Sequence, residues 1–90
     1  MIREIHNTIE GRVRFKVKGL YRSEHLKRTI ESRLPECNFV YSVSANVLTG
    51  NVLVRFDPTC NNNLIFNALE DIVLSWFSHL KDNTENKELS

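Results

Sequence analysis

Ninety residues, 41% hydrophobic and 26% charged, make one soluble globular domain, and a chain this short buries only about 60% of its unfolded surface, which excludes a large active-site cavity. The formal net charge is +1, yet residues 1–35 carry nine Lys or Arg against four Glu (+5) and residues 36–90 three against seven acids (−4), so the basic face must come from the first strand and helix. Cys37 and Cys60 are too few for the disulfide framework of a small secreted scaffold, and charge begins at Arg3 with no apolar run behind it, so a cytoplasmic, reducing compartment is expected.

From Ile5 to Val17 the odd positions read Ile5, Asn7, Ile9, Gly11, Val13, Phe15 and Val17, and the even ones His6, Thr8, Glu10, Arg12, Arg14 and Lys16. That is the period of a strand with one wet face. Thirteen residues exceed the usual strand length, so a bend or bulge is expected near Gly11, with the strand's core at Arg12 to Val17. Lys18-Gly19 breaks the strand, and Ser23 is placed to cap a helix beginning at Glu24, whose charge suits the helix dipole. Leu26, Ile30 and Leu34 form its buried stripe, Lys27, Arg28, Glu31 and Arg33 face water, and Pro35 ends it.

Two further alternating strands, Val40 to Val47 and Asn51 to Asp57, flank Leu48-Thr49-Gly50, and so short a connection makes them an antiparallel hairpin. Asn61-Asn62-Asn63 offers caps for a second helix from Leu64, with Ile65, Ala68, Leu69, Ile72 and Trp76 on one face. Phe66, Val73, Phe77 and Leu80 widen the apolar surface. After Ile72 the segment either turns into a fourth strand or stays helical, and the lack of Gly or Pro from Glu70 to Leu80 favours the helix. Asn67, Glu70, Asp71 and two serines interrupt the most apolar segment, Leu64 to Leu80, so it is no membrane span. The domain is expected over 1–80, with 81–90 a disordered tail or linker.

Strand, helix, strand, strand, helix is the order of an α+β open-faced sandwich, with both helices on one side of an antiparallel sheet and the first and third strands adjacent; a fourth strand stays open. Val17-Lys18-Gly19-Leu20, Val43, the hairpin Asn46 to Gly50, Val52 to Pro58 and Ala68-Leu69-Glu70-Asp71-Ile72 together resemble the heavy-metal-associated domain family from about Ile5 to Val73. The resemblance implies a ferredoxin-like β-α-β-β-α-β unit, as found in copper chaperones and at the amino terminus of metal-transporting P-type ATPases. In metal-binding members the first loop reads Gly-Met-x-Cys-x-x-Cys, whose thiolates clamp a soft ion such as Cu(I). Here Arg22 stands at the first cysteine position and His25 at the second, and Gly11-Arg12-Val13-Arg14 looks like the branch that often lacks the metal motif.

His25 is the residual ligand candidate in that loop, with His79 at the same end of the molecule. Cys37, Cys60 and His6 meet at the opposite end as a candidate Cys2His cluster. Arg12, Arg14, Lys16 and Arg55 share the sheet's open face, a docking surface for an acidic protein or another domain. RNA is disfavoured because Phe15 and Phe56 fall on the buried parity. Trp76, Phe77 and Leu80 belong to the core or, where the helix overhangs the sheet, to a homodimer surface that the uncovered edge of the first strand would extend. There is no Gly-x-Ser-x-Gly, phosphate loop or His-Glu-x-x-His, and no enzyme is expected. The expected function is a non-catalytic regulatory or docking domain in cation transport by a P-type ATPase, without the usual metal site or a cofactor. The alternatives are a soluble metal carrier using His25 or Cys37 and Cys60, and a homodimeric interaction module unrelated to transport.

Overall fold

The computed structural model describes residues 2–5 and 10–89, with side chains through Ser78. Its elements are β1 (Ile2–Ile5), β2 (Arg12–Val17), α1 (Glu24–Arg33), a 3-10 turn (Leu34–Glu36), β3 (Val40–Asn46), β4 (Asn51–Phe56) and α2 (Asn62–Leu89). The strands form one antiparallel sheet in the order β1-β2-β4-β3. This is the expected α+β class, with the first and third of the expected strands side by side as β2 and β4.

Two expectations need correction. The single strand from Ile5 to Val17 is in fact two strands: β1 ends at Ile5, and β2 starts at Arg12 and runs antiparallel to it. Gly11 is a turn residue and not a bulge within a strand. Its φ is +73°, a Cβ there would stand 3.0 Å from the Phe56 carbonyl oxygen, and that close approach lets the Phe56 amide donate to the Gly11 carbonyl at 2.9 Å. The edge of β2 is therefore not free: β1 covers it, pairing Ile2 with Val17 and Arg3 with Lys16. The fourth strand comes from before β2, while the chain after Ile72 stays helical as the lack of Gly and Pro implied.

The alternation of β2 decides what faces the helices. Val13, Phe15 and Val17 are buried with Val52, Val54 and Phe56 of β4, and α1 adds Leu26 and Ile30 to them. From α2 come Ile65, Leu69, Ile72 and Val73, and the Phe66 ring lies 6.1 Å from that of Phe15. Burying a side chain such as Phe15 contributes about 1.5–3 kcal/mol, so this face holds most of the stability.

Local signals set the helix ends. Ser23 Oγ accepts from the Leu26 amide at 3.3 Å, as expected of an N-cap, and Pro35 falls in the 3-10 turn after α1. Asn61 Oδ1 accepts from the Asn63 amide at 2.7 Å, so α2 starts at Asn62, two residues before Leu64. Asp57 Oδ1 accepts from both the amide and the hydroxyl of Thr59, which holds its carboxyl below the usual carboxylate range and shapes the turn out of β4. The backbone of α2 continues through Leu89, past the boundary that composition sets near Lys81.

Glu31 does not simply face water. Its Oε2 accepts from the Ala45 amide at 2.9 Å and its Oε1 pairs with Lys27 Nζ at 3.2 Å, so α1 satisfies a backbone donor of the edge strand β3. Because the amide of the buried Ala45 loses its partner, Glu31→Ala should lower stability by about 1–2 kcal/mol in urea denaturation, whereas Glu31→Gln, which keeps an acceptor, should cost less.

Candidate functional site

The loop from Lys18 to Ser23 is fastened by backbone bonds. The Leu20 amide donates to the Val17 carbonyl at 3.2 Å, that of Ser23 to Leu20 at 2.9 Å, and that of Arg22 to Val47 at 2.9 Å. Leu20 is fully buried and plugs the loop into the core. Arg22 takes a left-handed φ of +60°, is exposed, and lies over the Tyr21 ring at 5.2 Å.

Helix α2 closes over this loop. The Trp76 indole Nε1 donates to His25 Nδ1 at 2.7 Å, and the Trp76 and Phe77 rings meet edge to face at 4.9 Å. Phe77 backs Gly19 so closely that a Cβ there would lie 2.7 Å from its Cζ. Trp76 and Phe77 are half-buried in this role; the side chains of His79 and Leu80 and the whole of His6 lie outside the described residues.

This geometry fixes what His25 can do. The Trp76 indole occupies Nδ1, so a ligand role for His25 would fall to Nε2 alone. Arg22 is a cation and not a ligand, and neither cysteine of the chain lies in the loop. The donor set here does not fit a soft-metal clamp. Cys37 and Cys60 are free thiols packed half-buried against the core, and among the described residues no group of three or more His, Cys, Asp or Glu could hold a metal ion.

The sheet's open face brings the expected cations together. Arg12 is directly opposite Arg55, Arg14 is opposite Leu53, and Lys16 is opposite Asn51. β1 adds Arg3 directly opposite Lys16, with Ile5 opposite Arg14. Arg3 was not legible, because Ile2-Arg3-Glu4-Ile5 does not alternate and its pairing partner lies well along the chain. Glu4 points the other way, taking a bond from Asn62 Nδ2 at 3.3 Å. No carboxylate lies among the paired open-face residues, and Glu10 borders a shallow depression with Arg12 and Arg55 at the far end. The only ion pair among the described residues is Lys27–Glu31, beyond the sheet. Arg12 Nε is buried without a hydrogen-bond partner. Phe15 and Phe56 are buried, as the parity implied.

A four-stranded antiparallel sheet with two helices on one side, and a fastened loop leading into the first of them, defines a ferredoxin-like α+β domain. The chain belongs to the heavy metal associated domain 2 family, whose profile matches residues 1–89. No curated protein sequence matches it. Among the described residues no helix is long and apolar enough to cross a membrane.

The tight contact at Gly19 yields a direct test. Its φ of +97° and the Phe77 ring both oppose a side chain, so Gly19→Ala should destabilise the domain by about 1–3 kcal/mol, read as a lower urea midpoint.

Proposed function

We propose that this chain is a non-catalytic docking or regulatory domain that acts in cation transport by a P-type ATPase on the cytoplasmic side, fused to the pump or acting in trans. Its open sheet face binds an acidic surface, and the loop at residues 19–25 holds no ion. Family membership supports the link to heavy-metal handling. The observation that carries the docking reading is the pair of like-charge oppositions, Arg3 with Lys16 and Arg12 with Arg55.

Like charges directly across a strand pair are destabilising, by up to about 1 kcal/mol each, and a fold has no need to stack them. An external anionic surface turns that repulsion into attraction, and steers the encounter as well. Ile5 and Leu53, both half-buried, give the face an apolar centre between its cations. The loop supports the same reading from the other side, because Arg22 is no ligand, no cysteine lies in the loop and one nitrogen of His25 is engaged by Trp76.

A poly-glutamate peptide titrated into labelled protein tests the face. Amide shifts should centre on Arg3, Arg12, Arg14, Lys16 and Arg55, fade at high salt, and weaken by about tenfold or more in Arg14→Glu/Arg55→Glu. Shifts centred elsewhere, or unaltered by that double variant, would rule the docking face out.

A further inference from the structure

A second surface lies at the end of the molecule where two loops meet. The Val17 amide donates to the Gly50 carbonyl and the Arg22 amide to Val47, both at 2.9 Å, so the 18–23 loop and the β3–β4 turn form one fastened tip. Two large apolar side chains project from it: Leu48 is 76% exposed and Tyr21 57%. The turn does not need a leucine. It is shaped by Asn46 Oδ1, which accepts from the Leu48 amide at 2.8 Å, and Thr49 Oγ1, which accepts from Asn51 at 3.3 Å, so a polar residue at 48 would serve the fold equally well.

Between the two projections opens a cleft of about 670 Å³, its lining more apolar than polar. Ile2 contributes to the apolar part, and Arg3, Lys16 and Lys18 to the charged part, with no carboxylate among the lining residues. Arg22, held over Tyr21, adds a further cation beside it. Exposed apolar tips ringed by cations around an open cleft are suited to a surface that is anionic outside and apolar beneath.

We infer that this tip docks onto an anionic lipid bilayer, with Leu48 and Tyr21 entering the interface and Arg3, Lys16, Lys18 and Arg22 meeting the headgroup phosphates. Aromatic and aliphatic side chains gain from the interfacial layer, where tyrosine keeps its hydroxyl wet, and clustered Lys and Arg gain from the negative surface potential. Charge complementarity selects this occupant: an acidic protein would satisfy the cations but leave Leu48 and Tyr21 without an apolar counterpart. The tip shares Arg3 and Lys16 with the sheet face, but Lys18, Tyr21, Arg22 and Leu48 lie outside the paired strands, so variants at those positions separate the two readings.

Sedimentation with large vesicles tests it, using phosphatidylcholine alone and phosphatidylcholine with about one-third phosphatidylglycerol. The full chain should bind only the anionic vesicles. Lys18→Glu and the double variant Tyr21→Ser/Leu48→Ser should each bind at least about tenfold more weakly with an unchanged urea midpoint, while Arg33→Glu, an equal charge change at the other end of α1, should bind as the parent does. Failure to bind anionic vesicles would overturn the proposal. So would equal losses in Lys18→Glu and Arg33→Glu with none in the double variant, which would mean diffuse charge attraction. Binding of inorganic phosphate at Lys16 and Lys18 without vesicle binding would overturn it too, assigning the cleft to a soluble anion.

Discussion

The alternation of β2, with Val13, Phe15 and Val17 on one side and Arg12, Arg14 and Lys16 on the other, is the constraint on which the rest of the molecule depends. Side chains alternate strictly along a strand, so a slip of one residue against either neighbour would put the cations in the core and Phe15 in water. β4 holds that register with Val52, Val54 and Phe56, whereas β1 matches it at Ile2 but sets Glu4 opposite Phe15 and Ile5 opposite Arg14. Burial secures the inner side, and the charge on the outer side comes along with the register. A domain stabilised on one face can tolerate like-charge repulsion on the other.

The loop between β2 and α1 shows a different division of labour. In the heavy-metal-associated pattern this is where an ion would be clamped at the start of a helix. In this chain α2 runs far enough past the sheet to lay Trp76 and Phe77 against it, and their contacts to His25 and Gly19 occupy the space from behind. Leu20 below and the backbone bonds to Val47 and Val17 hold the rest. The loop has thus become a packing element between sheet and helix. Its left-handed positions, Gly19 and Arg22, keep the tight path, although no donor set accompanies them.

Much of this was legible in the sequence. The alternating strands, the Ser23 cap, the stripe at Leu26, Ile30 and Leu34, the short hairpin and the unbroken second helix each rest on local chemistry and appear where that chemistry puts them. What failed was non-local. An apolar-polar period of two runs on through Gly11, so one long strand and two paired strands look alike in sequence; the positive φ at Gly11 goes with a close approach of Phe56, far along the chain on β4. The same blindness hid β1 and with it Arg3. Glu31 looked like a solvated helix residue because the amide that it caps sits 14 positions away on β3. The cations of the open face were legible from parity, but their direct opposition needed the register. The engagement of His25 by Trp76 joins residues 51 positions apart, and no sequence spacing announces it.

The scaffold of a heavy-metal-associated family, combined with a loop that carries no cysteine and whose His25 is bonded to Trp76, supports one proposal above the others: the loop at residues 19–25 holds no ion. Titrating the purified, reduced protein with Cu(I) while following backbone amide shifts addresses it most directly. Residues 19–25 should remain unperturbed by stoichiometric Cu(I), and the Trp76 indole proton should stay in its bond to His25. Tight one-to-one binding centred on residues 19–25, with loss of that indole bond, would contradict it.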